Sequence, residues 1–412
     1  MGDLVVGLDV GTSKVCTVVG EVRADDVFVV GLGIEPSRGM KKGIVNDMEA
    51  LTAAISASVH KAEKSSGYDI SRAFVSVAGN HIASISSRGM VGITGQRAVS
   101  REDLDRAMEA SRAIAIPHNR EVLHIVPRSY SLDGQDRVRS PIGMHGFRLE
   151  MEAHIITASS TCMANLEESV RNAGVIVDRF ILNPLASGHV VLTPEEKEMG
   201  VVVIDIGGGT TDLAIFIEGT VWHAAVIPVG GDHLTNDITH WMHVPFDEAE
   251  QVKIQHGYAQ RRGVGLTETF VVQPFGEGMP TEFHRHELAE IIELRTIEIF
   301  ELAQREIKRS GYDGLLRAGA VITGGSSQLG GIREVAQETF GFPVRLAKPE
   351  RLTGMADTLR SPSFSTSVGL LGLGLEMDGA ETGGNSNGHS PSGIKIGNLL
   401  GGFFRRLLPD NE

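Results

Sequence analysis

Asp9 and Asp205 each stand at the end of an apolar run, and each is followed two residues later by a glycine, Gly11 and Gly207. The second aspartate sits in VVVIDIGGGTTDLAIFI at 201–217, an apolar strand, a turn of three glycines and two threonines, and a second apolar strand. Asp205 and Asp212 bracket that turn, and a weaker copy, VVGLDVGTSKVCTVV, occupies 5–19. Successive backbone N–H groups in such turns aim at one point and form an anion cradle. Glycine tolerates the positive φ angles and lets the backbone approach a phosphate closely. A carboxylate at the strand end can hold a hydrated magnesium ion, which keeps its waters and bridges phosphates. Asp9 and Asp205 are therefore the candidate magnesium holders, through water. Gly11, Gly207, Gly208 and Gly209 are the cradle candidates, with hydroxyls from Thr12, Ser13, Thr210 and Thr211 and a point charge from Lys14. A third turn, Gly324-Gly325-Ser326-Ser327, closes the apolar run 320–323. Three such turns fit one nucleotide gripped from three sides better than a ligand-free glycine hairpin. No GxxxxGK[ST] loop is present.

Other chemistry is weaker. Glu250 and Lys253 are spaced i, i+3 on one helical face; they read equally as a ribose grip or as a solvated surface pair. The fifteen histidines show no paired metal-ligand spacing, and no G-x-S-x-G elbow supports a serine hydrolase. A formal charge of −14 argues against a nucleic-acid partner. Cys16 and Cys162 are too few for a disulfide framework, which points to a reducing cytoplasm. Neither a secretory signal pattern nor a run of roughly 20 apolar residues is found.

Strands and helices must bring the turns together. Residues 4–34 read as three strands, 4–8, 15–21 and 27–34, and a helix with Leu51, Ile55 and Val59 on one stripe runs to about Ser66. After the strand 73–78 the rhythm changes. Residues 80–160 read as a separate α+β unit: strands 82–86 and 90–94, a helix opened by the capping box at Ser100–Asp103, then strands 121–126, 128–132 and 148–157. A helix at 161–173 and strand 175–182 return to the main layer, and helices at 231–242, 247–256 and 286–309 follow the central turn. The chain thus divides into a first-lobe core (1–79 and 161–187), an insert (80–160), a second-lobe core (188–235 and 310–375) and a small second-lobe subdomain (236–309). At 412 residues, more than one core is expected.

Residues 376–393, EMDGAETGGNSNGHSPSG, have no apolar period and read as a flexible linker. Behind it, Ile396, Leu399, Leu400, Phe403, Phe404, Leu407 and Leu408 recur at three- and four-residue steps, with Lys395, Arg405 and Arg406 off the stripe. A basic amphipathic segment at 394–408, carried on a tether, has the pattern of an interfacial membrane helix rather than of a helix docked on the chain's own core. Half-burying seven such side chains is worth roughly 10 kcal/mol gross, reduced by ordering entropy. Reversible binding, strengthened when copies act together, is expected.

The turns GLDVGTSK (7–14), VIDIGGGTTD (203–212) and VITGGSSQLGG (321–331) resemble the two phosphate motifs and the adenosine motif of the actin, sugar-kinase and heat-shock chaperone superfamily. SRGMKKGIVND (37–47), VAGNHI (77–82) and VPRSYSLDGQDRVRSPIGMHGFRLE (126–150) are similar to the bacterial cell-division FtsA family, as is the order of parts over essentially the whole chain. The resemblance implies an α/β, actin-like (ribonuclease H-like) duplicated fold, with two lobes around a nucleotide cleft and an inserted α+β subdomain in the first lobe. It implies ATP and Mg2+ as ligands, self-assembly into filaments through the insert, and capture of the FtsZ C-terminal peptide on the small subdomain. The setting it implies is the cytoplasmic face of the inner membrane at the division septum, on membrane lipids and with other divisome proteins. By motif, Asp9, Gly11, Thr12, Ser13 and Lys14 take the first phosphate role. Asp205, Gly207, Gly208, Gly209, Thr210 and Thr211 take the second, Gly324, Gly325 and Ser326 the adenosine role, and Glu250 with Lys253 the ribose side. The superfamily's good hydrolases place Glu or Gln just before the small-residue run that here reads NPLASG (183–188); Asn183 stands there, a shorter amide that orients an attacking water poorly. At most a weak ATPase is expected. Arg285 and Arg295 are the candidate contacts for the acidic, apolar FtsZ tail. The rivals are a sugar kinase, a pilus-assembly ATPase or a chaperone of the same superfamily.

Overall fold

The computed structural model describes residues 4–23, 26–95, 97–113, 116–273, 279–350, 352–354 and 357–382. The amphipathic segment 394–408, and with it Ile396, Leu399, Leu400, Phe403, Phe404, Arg405, Arg406, Leu407 and Leu408, lies outside the described residues.

The β-branched runs at the start of the chain form three antiparallel strands, Leu4–Val10, Lys14–Arg23 and Asp26–Pro36. Arg72–Val77 and Ile176–Leu182 join in parallel on the far side of the first, and the short Thr353–Gly354 closes the other edge. The second half repeats this order. Val201–Ile206, Thr211–Ile217 and Thr220–Ile227 are antiparallel, and Gly319–Thr323 and Val344–Leu346 add in parallel. The repeat holds residue by residue: Asp9 pairs across the ladder with Cys16, and Asp205 pairs with Asp212. Val201–Ile206 is buried at every position, as a central strand covered on both faces must be. The duplicated, two-lobed α/β fold is the one the two aspartate turns imply.

Two helices fill the space between the sheets, Asn183–Val191 and Ser365–Thr382. They touch backbone to backbone: a Cβ on Gly369 would lie 1.9 Å from the Ala186 carbonyl oxygen, so only glycine permits this crossing. One core joins the first sheet to the inward face of the second through Val203, Ala214 and Phe216. A second core lies on the outer face, under the helices Gly231–Met242, Arg285–Ser310 and Ile332–Phe340. The hairpin Thr269–Val272 with Thr281–His284, together with the helix Phe246–His256, caps that side as the small subdomain.

The insert carries its own antiparallel sheet, in the order Ala83–Gly92, Arg148–Ser159, Arg120–Leu132, Gln135–Val138, with the helix Arg101–Arg112 packed on it. Two pairs of expected strands prove to be single strands. Gly89, read as a break between 82–86 and 90–94, is where the helix crosses Ala83–Gly92; a Cβ there would meet the Ala107 carbonyl oxygen at 1.9 Å. Pro127 does not split Arg120–Leu132 either. It sits beside a register shift opposite Ala153, where its missing N–H costs the ladder little.

Three expected boundaries fall within helices of the structure. Those at 187/188 and 235/236 fall inside the helices Asn183–Val191 and Gly231–Met242, which are shared between the parts they connect. Residue 376, where the linker is expected to start, lies within the closing helix, which continues to Thr382. Its buried first turns pay the nucleation cost, and each further residue adds a hydrogen bond.

The insert leans on the second lobe through Arg128, whose side chain is only 4% exposed. Its guanidinium donates to Ser86 Oγ (2.9 Å), Tyr312 Oη (3.1 Å) and the Trp222 carbonyl, and lies 2.8 Å from His154 Nδ1. Around it, His154 Nε2, His223 Nε2, Trp222 Nε1 and Glu306 Oε2 are buried without hydrogen-bond partners.

Candidate nucleotide site

Each glycine turn closes in the same way: Gly11 N–H donates to the Lys14 carbonyl (3.0 Å) and Gly207 N–H to the Thr210 carbonyl (2.9 Å). The two turns meet face to face. A Cβ on Gly208 would lie 2.0 Å from Ser13 Oγ, and one on Gly209 would lie 2.5 Å from Thr12 Oγ1. The third turn comes in from the side, where Ser326 Oγ donates to the Gly207 carbonyl (3.3 Å). Gly324, at φ 90°, packs so tightly that a Cβ would lie 2.4 Å from Asp205 Oδ1. A fourth piece joins them: Gly231 N–H and Asp232 N–H, at the start of the helix Gly231–Met242, donate to the Gly207 and Gly208 carbonyls (2.9 and 2.8 Å). The fold therefore brings 11–14, 207–211 and 324–326 to one place.

The carboxylates lie beneath the turns. Asp9, 5% exposed, accepts from Ser76 Oγ (2.9 Å) and Ser367 Oγ (2.6 Å). Asp205 accepts from Thr366 Oγ1 (3.0 Å). Asp212, opposite it on the ladder, accepts from Thr210 Oγ1 (3.0 Å) through one oxygen, while its other oxygen is buried without a partner. Burial, opposed by the Thr366 hydrogen bond and aided by the Asp9 charge, pushes Asp205 up to about 6. Burial and the neighbouring Asp205 push Asp212 well above the usual carboxylate range. Lys14, the nearest lysine in sequence, turns its ammonium to the Ser363 carbonyl and over the Phe364 ring, 4.7 Å from its centroid.

Asp205 and Asp212 thus face each other across the ladder in a buried setting that disfavours their charged forms, and one Asp212 oxygen has no donor. Among the described residues no three His, Cys, Asp or Glu side chains are grouped tightly enough to chelate an ion directly. Asp9, Asp205 and Asp212 are the acids that lie beneath the turns. Asn183 begins the helix Asn183–Val191, and its side-chain Oδ1 is buried with no hydrogen-bond partner.

Glu250 and Lys253 are not a solvated pair. Lys253 is 8% exposed, and its ammonium donates to Glu250 Oε2 (2.6 Å), Thr235 Oγ1 (2.8 Å) and the Gly231 carbonyl (3.2 Å). The pair is thereby tied to the Gly230-Gly231 turn at the edge of the cradle. Arg285 and Arg295 stand apart from the cleft, each already engaged. Arg295 forms a two-pronged pair with Asp237 (2.6 and 2.8 Å) and also meets Glu298, while Arg285 holds Glu268 (2.6 Å) and the His256 carbonyl (2.8 Å). Both brace the small subdomain internally.

Sequence reasoning passed over Ser76, Thr366 and Ser367, which hold the carboxylates from strands and helices distant in the chain. Asp212 was visible as a bracket of the turn but carried no assigned role. The equal spacing 9–16 and 205–212 is the signal that marks it.

A family model described as cell division protein FtsA matches residues 202–369, and one described as an SHS2 domain inserted in FTSA matches 79–157. The chain is 46% identical over 376 residues to cell division protein FtsA of Pseudomonas aeruginosa, spanning 91% of this chain and 90% of that one. It is 36% identical over 412 residues to the Escherichia coli K12 protein of the same name, spanning 98% and 96%. Among solved structures, the PilM-PilN type IV pilus biogenesis complex superposes with a TM-score of 0.64 at 18% identity, over 90% of this chain and 98% of that one. MreB 5 of Spiroplasma citri bound to AMPPNP superposes with a TM-score of 0.54 at 16% identity, over 92% and 97%. These neighbours carry the actin-like ATPase fold. Among the described residues no helix is long and apolar enough to cross a membrane. The relatives set aside the kinase, pilus-ATPase and chaperone readings, and the chain belongs to the FtsA family of cell-division proteins.

Proposed function

We propose that this cell-division protein binds ATP with magnesium between its lobes and assembles into filaments through the insert. It holds the FtsZ C-terminal peptide on the small subdomain and attaches to the cytoplasmic face of the inner membrane through 394–408, where other divisome proteins join it. The observation that carries the nucleotide part is the convergence of the three glycine turns, from both lobes, over Asp9 and Asp205.

Bound Mg·ATP supplies a polyanion and a cation that both lobes can grip at once. The chain's own residues do the rest. The amides of 12–13 and 208–209 take phosphate oxygens, with Lys14 released from Ser363 to add charge. Asp9 and Asp205 hold the cation's waters, oriented by Ser76, Ser367 and Thr366. Gly324, Gly325 and Ser326 flank the base, and Glu250 with Lys253 faces the ribose. Asn183 and Asp212 border the position from which water would attack, and the short reach of Asn183 keeps turnover slow. The nucleotide then serves chiefly as a ligand that fixes the angle between the lobes. The FtsZ tail is assigned to the small subdomain as a whole. Arg285 and Arg295 would meet it only by exchanging Glu268 and Asp237 for peptide carboxylates.

Vesicle co-sedimentation of the full chain and of a chain ending at Thr382, with and without Mg·ATP, tests the anchor. The end point follows the closing helix, which a cut at 376 would shorten. The full chain is expected to pellet and the shortened chain to stay in solution. Equal behaviour of the two chains rejects the anchor.

A further inference from the structure

A second large concavity lies where the two lobes meet, lined by neither Asp9 nor Asp205. Its volume is about 2020 Å³, against roughly 300–1,000 Å³ for an ordinary small-molecule pocket. A space of that size suits a short stretch of polypeptide. Leu352 comes from beside the edge strand of the first-lobe sheet, Leu329 and Leu346 from the second lobe, and Leu375 from the closing helix, giving partly exposed apolar positions on three sides among charged neighbours such as Arg333, Arg345, Lys348 and Glu376. Leu346 is 43% exposed there, an apolar side chain at the end of a short edge strand with room over it.

The closing helix says what can cover these walls. Leu371, Leu375 and Glu376 line the groove, and six residues later the described chain ends at Thr382. The chain therefore leaves the body within two helical turns of the groove rim. Eleven residues, 383–393, separate Thr382 from the apolar stripe of 394–408. Extended, eleven residues span roughly 36 Å, enough to reverse direction and return along the groove. Fifteen residues as a helix are about 22 Å long and carry one continuous apolar face.

We infer that this interlobe groove is the resting dock of the chain's own segment 394–408, which a membrane surface must win away from it. The inference rests on the reading of 394–408 as a membrane anchor and adds a regulated state to it. The apolar face that enters the bilayer is the face that covers Leu329, Leu346, Leu352 and Leu375, so the two occupancies exclude each other. Both lobes line the groove, so any change in the angle between them alters the dock. A single copy in solution keeps its anchor covered, and apparent membrane affinity is reduced by the fraction of chains that are docked.

Two measurements on the full chain test this. The first uses Leu346→Cys with Phe403→Cys in a Cys162→Ser background, treated with a short bis-maleimide; the remaining Cys16 is buried. An intramolecular cross-link, independent of protein concentration, is expected in buffer and is expected to fall at least fivefold when anionic phospholipid vesicles are present. The second uses Leu346→Asp at this half-exposed site, with thermal unfolding as the check on folding. Its half-saturating lipid concentration is expected to fall about tenfold. No cross-link, together with unchanged lipid binding by Leu346→Asp, overturns the docking. A cross-link that vesicles do not diminish overturns the competition. A cross-link in a chain that vesicles never recruit supports the dock while rejecting the anchor reading, so the two failures are distinguishable.

Discussion

Asp205 offers the sharpest test of the site, because its burial has a calculable consequence before any nucleotide is added. Its carboxyl is pushed from 3.8 up to about 6, with burial as the largest cause. Two units correspond to about 3 kcal/mol. The folded-state value lies above the unfolded one, so the native protein keeps this proton longer. Stability is thus lost as pH rises from about 4 to about 6, and above that the whole penalty is present. Asp205→Asn removes the charge and keeps the shape. It weakens one hydrogen bond, from Thr366, at a cost of about 1 kcal/mol. Without nucleotide, the variant should be less stable than the parent by about 1 kcal/mol near pH 4 and more stable by about 2 kcal/mol above pH 6.5. The assay is denaturant unfolding of both chains across that range, read as the difference between them so that titrating groups remote from Asp205 cancel; the neighbouring Asp212, which Asp205 pushes up, adds to the change in the same direction. The same variant should lose the thermal shift that Mg·ATP gives the parent, a shift that should itself grow as pH rises through 6. A stability difference that stays flat with pH refutes the argument that the buried carboxylate awaits a cation.

Gly324→Ala should destabilise by about 3 kcal/mol and abolish nucleotide binding, since φ is 90° there and the new methyl meets Asp205 Oδ1 at 2.4 Å; calorimetric titration with Mg·ATP reads the second effect. Arg128→Met should cost about 3 kcal/mol by stranding His154, Tyr312 and the Trp222 carbonyl, and hydrogen exchange should quicken in Thr220–Ile227 and Arg120–Leu132 before it does elsewhere. Lys253→Met should weaken Mg·ATP binding at least tenfold by removing the buried ammonium that ties Glu250 to the Gly231 carbonyl at the ribose side, while vesicle binding by the full chain persists.

Local chemistry made much of this fold legible. Each aspartate turn carries its own strand–turn–strand signature, and the apolar stripe of Leu51, Ile55 and Val59 marks the helix Met48–Ser66, which Asp47 caps by accepting from Ala50 N–H at 3.0 Å. What stayed hidden depends on contacts between segments far apart in the chain. In sequence, 183–188 reads only as the small-residue run NPLASG. In place, Pro184 occupies the first turn, where its missing N–H is harmless, and Gly188 clears the Phe216 ring. Gly89 and Pro127 look like breaks for the same reason: the helix crossing and the register shift that explain them are supplied by other elements. The hydroxyls that hold Asp9 and Asp205 come from positions 67 and 358 residues from Asp9 and 161 from Asp205, beyond any local pattern.

The duplication itself explains why the two turns differ. Their backbones are equivalent, closing between Gly11 and Lys14 and between Gly207 and Thr210, yet their side chains are complementary rather than alike. Where the first turn presents Thr12 and Ser13, the second presents Gly209 and Gly208, with no room for a Cβ between them. A second Thr-Ser pair would hold the lobes apart, and a second Gly-Gly pair would remove the hydroxyls. The same division holds one strand further on. The partner of Asp205 is Asp212, a carboxyl with an unpaired buried oxygen, whereas the partner of Asp9 is Cys16, a thiol that burial pushes up to about 12 and so keeps neutral. A fourth carboxylate in place of Cys16 would add repulsion to a cluster already short of positive charge. The site is therefore one negative face and one donor face built from two copies of a single unit, and neither half can hold a triphosphate and its cation alone. On the proposed function, binding such a ligand would fix both halves together, and the angle between the lobes would be the quantity that the nucleotide controls.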